Sequence, residues 1–104
     1  MQIHRRCLRW RINKKAQIEL AGAVRDCTVL DISFSGARIY LQQKLAQDAF
    51  FRLNINLSGD LSFHVEAWVA WHKVIEGINI YGIYFAKIKD TDKERIFKFI
   101  RSNF

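Results

Sequence analysis

Phe51-Arg52-Leu53-Asn54-Ile55-Asn56-Leu57-Ser58 alternates apolar and polar residues without a break. After Gly59-Asp60 the alternation resumes through Leu61, Phe63, Val65, Ala67, Val69 and Trp71. Successive side chains of a strand point to opposite faces, so each half reads as a half-buried strand. Ser58-Gly59-Asp60 has the composition of a hairpin turn. Two long strands joined this tightly are antiparallel neighbours, which sets a β fold at the centre of the chain.

The same period extends outward in both directions. Ile18 and Leu20 alternate with Gln17 and Glu19, and Ala21-Gly22 follows as a turn. Val24 to Ile32 is rich in β-branched residues and ends at the polar stretch Ser33–Gly36. Ala37, Ile39 and Leu41 then alternate with Arg38 and Tyr40. Residues 42–49 are polar and read as a loop or helical turn. Beyond Trp71, Glu76-Gly77 marks another turn and Ile78 to Ile88 a last strand.

Thereafter the period changes to 3.6. Thr91-Asp92-Lys93-Glu94 fits a capping box, and Ile96, Phe99, Ile100 and Phe104 follow at helical spacing. Six strands with short connections and one terminal helix predict a six-stranded antiparallel β-barrel capped by a C-terminal helix. The expected organisation is a single domain over 1–104, with a flexible basic arm over 1–15, the barrel over 16–88 and the helix over 91–103. No βαβ alternation is present, which argues against a dinucleotide-binding α/β fold. The chain has no proline.

With 104 residues, half of them hydrophobic and 13% aromatic, the chain can build one core. The formal net charge is +7, which suggests an anionic partner. Arg5, Arg6, Arg9, Arg11, Lys14 and Lys15 all precede the first acidic residue, Glu19. Residues 16–104 are therefore close to neutral. A local electropositive arm favours a small anion over a long nucleic-acid track. Cys7 and Cys27 have no metal-ligand spacing; two reduced thiols are the preferred reading, with a disulfide between them as the alternative. No apolar run is long enough for a membrane span or placed as a secretory signal, so a cytoplasmic location is expected.

Two short motifs carry candidate chemistry. Arg5 and Arg9 put two guanidiniums four residues apart on the arm, where they could clamp a phosphate, stack on a base or bind guanine O6 and N7. The ordinary alternative is a solvated basic tail. Asp31-x-Ser33-x-x-Gly36 offers a carboxylate for guanine N1–H and N2–H, a hydroxyl, and a glycine able to take a positive φ or to let a ligand approach closely. Asp, Ser and Gly are also the commonest turn residues. His4, His64 and His72 have no metal spacing, and no nucleophile–base pair is evident, so neither a metal site nor an enzyme is expected.

In this order the two motifs resemble those of the PilZ domain, which binds the bacterial second messenger cyclic di-GMP. The family signatures are R-x-x-x-R, matched by Arg5 and Arg9, and [D/N]-x-S-x-x-G, matched by Asp31, Ser33 and Gly36. Ala37-Arg38-Ile39, Val69-x-Trp71 and Gly82-Ile83-Tyr84-Phe85 resemble later family segments, so the resemblance runs over nearly the whole chain. His4 stands where another arginine is common, with Arg6 inside the motif as partial compensation. The proline often seen after the second arginine is missing. The resemblance implies that cyclic di-GMP is the ligand, with no other cofactor, and that the arginine arm wraps over it.

Secondary candidates for the ligand site are Arg6, His4, Trp10, Arg38, Trp71 and Trp68. Trp71 is in phase with Val65 and Val69 and is expected on the core face, Trp68 on the opposite face. A β-bulge between them would change that. The chain carries no output domain, so the resemblance implies an adaptor acting through a protein partner in motility, attachment or exopolysaccharide control. The competing expectations are a PilZ-like interaction module that does not bind the nucleotide, and a small-barrel binder of single-stranded nucleic acid. The clustering of basic residues on one arm argues against the latter.

Overall fold

The structure is a computed structural model and describes residues 8–103. Six strands form the body: β1 (Trp10–Leu20), β2 (Ala23–Ile32), β3 (Gly36–Tyr40), β4 (Phe50–Ser58), β5 (Leu61–Ile75) and β6 (Ile78–Phe85). They close into an antiparallel barrel in the order β1-β2-β3-β6-β5-β4. Helix α1 (Asp90–Asn103) follows. The expected architecture is thus the observed one.

The inward set is the apolar half of each alternation. Leu53, Ile55, Leu57, Phe63, Val65 and Ala67 from the central hairpin are buried, with Ile18, Val29, Ile32, Ile39, Tyr81 and Ile83 opposite them. Ile96, Phe99 and Ile100 of α1 join the same core. Burial of such side chains contributes about 1.5–3 kcal/mol each.

Four local expectations are corrected. First, β1 begins at Trp10, so residues 10–15 are strand and not arm. Trp10, Ile12 and Lys14 are the partly buried positions there and Arg11, Asn13 and Lys15 the exposed ones. The alternation escapes a hydropathy reading because Lys14 occupies an inward phase. Lys14 is partly buried, and its Nζ sits 5.5 Å from the Phe99 ring centroid.

Second, α1 starts at Asp90, and the Lys93 amide already bonds the Lys89 carbonyl at 3.0 Å. Thr91 therefore lies inside the first turn and cannot be the cap. Third, β6 ends at Phe85, and Ile88 packs on the core from the loop that follows.

Fourth, Trp71 is not on the core face. Val69 pairs with Ile83 and Trp71 with Gly82, so Ala70 is an extra residue in β5. This bulge shifts the phase by one and turns Trp71 outward, 38% exposed, while His72 moves in to stack on Tyr81 at 4.4 Å. Trp68 is exposed, as expected.

Candidate functional site

Two more register shifts build the site. The β2–β3 ladder slips at Leu30, so that Val29 faces Ile39 but Asp31 faces Arg38. The β1–β2 ladder slips between Arg11 and Lys14, where Asn13 has a φ of +49°, so that Arg11 also faces Asp31. On the other side, Arg38 pairs with Gly82 and Gly82 with Trp71. One cross-strand row therefore runs Arg11, Asp31, Arg38, Gly82, Trp71 over the outer surface of the barrel.

Asp31 is the charged centre of the row and is only 5% exposed. Arg9 Nη1 donates to its Oδ1 at 2.9 Å, and Arg38 Nε donates to its Oδ2 at 2.6 Å. A buried carboxylate is stable only when paired and hydrogen-bonded, and here each oxygen holds a guanidinium. Both arginines keep a solvent-facing side, at 43% and 37% side-chain exposure. The result is a pair of oriented cations whose other donors have no partner among the described residues.

Ser33 and Gly36 each have a role within the fold. Ser33 is buried, and its Oγ accepts from the Ser35 amide at 3.2 Å and the Gly36 amide at 3.1 Å. Its own amide donates to the Gly36 carbonyl at 2.8 Å. The hydroxyl thus closes its own turn and does not face outward. Gly36 does not have a positive φ; the positive-φ glycines are Gly22, Gly59 and Gly77. What it supplies is space, because a Cβ there would lie 2.2 Å from the Ile83 carbonyl oxygen of β6.

The aromatic candidates sit around this core. Trp10, half-buried at the start of β1, packs edge-to-face on Phe34 in the turn at 5.5 Å. Trp71 covers Gly82, where an added Cβ would meet the indole at 2.2 Å. Trp68 packs edge-to-face on Tyr84 at 6.2 Å, and these two pair in the next row with Gly36 and Phe50. Arg9, Asp31, Arg38 and Trp71 therefore share one surface, while Trp68 borders it. Arg5, Arg6, His4 and Cys7 lie outside the described residues.

Arg11, Phe34 and Gly82 join the site without having been singled out in the sequence. A glycine inside a strand is a recognised sign of close approach, and Gly82 fits it. Arg11 and Phe34 have no such signal, since their positions depend on the bulges. Among the described residues no group of His, Cys, Asp and Glu is arranged to hold a metal ion.

The PilZ domain family model matches residues 3–102. The chain belongs to the PilZ domain family. No curated protein matches this PilZ chain significantly. Among solved structures it is similar to the Bacillus subtilis inhibitor of motility MotI/DgrA, with a TM-score of 0.79 and 18% identity over 96% of this chain and 51% of the other. It is also similar to the PilZ domain of YcgR from Escherichia coli with c-di-GMP, with a TM-score of 0.75 and 18% identity over 96% of this chain and 94% of that one. Against YcgR from Escherichia coli in complex with c-di-GMP the TM-score is 0.80, at 19% identity over 95% of this chain and 45% of that one. This PilZ chain thus spans about half the length of MotI/DgrA and of the longer YcgR structure.

Proposed function

We propose that this PilZ domain is a cyclic di-GMP receptor and adaptor, and that the ligand is held by Arg5, Arg9, Arg38 and the outer face of the Asp31–Gly36 turn. The observation that carries the reading is the Arg9–Asp31–Arg38 group. Two guanidiniums are held by one buried carboxylate, with their remaining donors facing solvent, beside an exposed indole. Guanidinium forks suit phosphates and guanine edges, and an indole face suits a base. Membership of the PilZ family and the c-di-GMP complexes of YcgR support the choice of ligand.

In this reading Asp31 and Ser33 act mainly by positioning. Asp31 holds Arg9 and Arg38 until the ligand draws Arg9 toward its phosphates, and Ser33 fixes the turn. Arg5, Arg6 and His4 then fold over the ligand as an arm. Ordering costs about 1–2 kcal/mol per residue, which charge-assisted bonds of about 1.5–3 kcal/mol each must exceed. The protein is a binding module rather than an enzyme. It acts in the cytoplasm by presenting a changed surface to a protein partner that controls motility, attachment or exopolysaccharide.

Calorimetric titration with cyclic di-GMP tests this. The wild-type chain is expected to bind, and Arg9→Ala to lose detectable binding while keeping its melting transition. Unchanged affinity in that variant would sink the assignment of Arg9. Amide shifts confined to residues 4–11, 31–38 and the Gly82–Trp71 rows are expected on titration. The internal bonding of the Ser33 hydroxyl and of both Asp31 oxygens favours a second reading, an interaction module that does not take the nucleotide. Absence of heat and of shifts in the wild type would select it.

A further inference from the structure

Asp31 has three arginines around it and holds two of them. Arg9 Nη1 donates to its Oδ1 and Arg38 Nε to its Oδ2. Arg11 stands directly across the β1–β2 ladder from Asp31, where opposed Cβ atoms are about 5 Å apart. It is exposed, and it makes no hydrogen bond or ion pair to any described residue. Asp31 thus fixes Arg9 and Arg38 and leaves Arg11 uncommitted.

A local irregularity of the backbone puts Arg11 there. Lys14 faces Val29, and an unbroken ladder would set Arg11 against Ile32 and Ile12 against Asp31. The register shift, with Asn13 at a φ of +49°, brings Arg11 to Asp31 instead. Asparagine is one of the few residues that take this left-handed conformation readily.

Three guanidiniums against one carboxylate leave an excess of two positive charges. No other carboxylate is bonded to Arg9, Arg11 or Arg38 among the described residues, and Asp26, the next one along β2, accepts from Gln17. Arg11 and Arg38 pair with Asp31 from opposite sides, so their backbones stand two strand spacings, about 10 Å, apart. Cations on either side of a fixed carboxylate suit an anion whose own two charges are separated. A cyclic dinucleotide is such an anion, with its two phosphodiesters on opposite sides of one ring. Given a cyclic di-GMP receptor, on which this assignment rests, we infer that Arg11 is a ligand-contacting residue. It takes one phosphodiester, while Arg9 and Arg38 take the other, each by charge-assisted hydrogen bonds from a guanidinium fork.

Calorimetric titration of the full chain with cyclic di-GMP at low and at physiological salt tests this. Arg11→Ala is expected to weaken binding by about tenfold or more, and to reduce the slope of log affinity against log salt by roughly one. Lys15→Ala removes the same charge from an exposed position roughly 13 Å further along β1 and should cost no more than about twofold. If Arg11→Ala lowers the melting transition, Arg11→Gln takes its place. Equal losses from the Arg11 and Lys15 variants would overturn the inference, since they would indicate net charge alone. A large loss with an unchanged salt slope would overturn it too, by placing Arg11 on a base and not on a phosphodiester. Unchanged affinity in Arg11→Ala, beside an Arg9→Ala variant that no longer binds, would remove Arg11 from the site and leave the receptor reading standing. No binding by the wild-type chain would overturn both.

Discussion

At position 36 a methyl group would have to occupy the place of a backbone oxygen. The Ile83 carbonyl sits 2.2 Å from where that Cβ would be, and a backbone atom of a paired strand cannot move aside. Gly36→Ala is therefore expected to destabilise the fold by about 2–4 kcal/mol, measured as a drop in the urea midpoint. A variant with unchanged midpoint would show that β3 and β6 can separate there. Loss of ligand binding in this variant would report a damaged sheet and not a lost contact. Asp31 and Ser33 call for similar care, because both are bound within the protein. The identities of these residues were legible in the sequence as a motif. Their work was not, since a hydroxyl that closes its own turn and one that faces a ligand have the same spacing.

Among the elements, strands declared themselves wherever the alternation was unbroken, as in β4 and the first two-thirds of β5. They were missed or misphased where a bulge or a long polar side chain interrupted the period. Ala70 inverts the outlook of Trp71, and Lys14 disguises the first half of β1. A bulge is defined by the partner strand, so one strand's sequence cannot reveal it. The hairpin turns were legible by composition, but two carry strain, at Ala21 and at Glu76, whose φ is +52°. Ala21 and Gly22 have φ of +51° and +82°, and the first of these values is costly for a residue with a Cβ. Ala21→Asn, which tolerates the left-handed region better, is expected to stabilise the β1–β2 hairpin by about 0.5–1 kcal/mol. Differential scanning calorimetry should show a melting temperature raised by a few degrees, roughly 2–8 °C; a lower one would mean that the alanine methyl has a packing role.

The molecule as a whole should respond to alkali through its one described thiol. Cys27 is buried, and that burial, with the neighbouring Asp26 charge, pushes its pKa from 9.0 up to about 12. The folded state therefore keeps its proton where the unfolded chain has released it. The contribution is fully present below pH 9 and is lost as pH rises through about 12, with a slope near 1.4 kcal/mol per pH unit between these values. Urea midpoints measured across this range should fall less steeply in Cys27→Ala than in the wild type. Parallel curves would mean that the thiolate is tolerated in the barrel.

The ladder between β1 and β4 joins only Ala16–Glu19 to Arg52–Ile55. Among the described residues the earlier half of β1 has no ladder partner on that side, so a short backbone edge is left at the rim of an otherwise closed wall. Such edges are where separate copies of a protein join into aggregates. Here a second copy pairing along it would bring the exposed Arg11 and Lys15 against their own counterparts. The break at Asn13 would interrupt the shared ladder almost at once. The cationic lead-in to the barrel thus also guards its seam, and neutralising these residues to improve some other property would remove the colloidal protection of the fold.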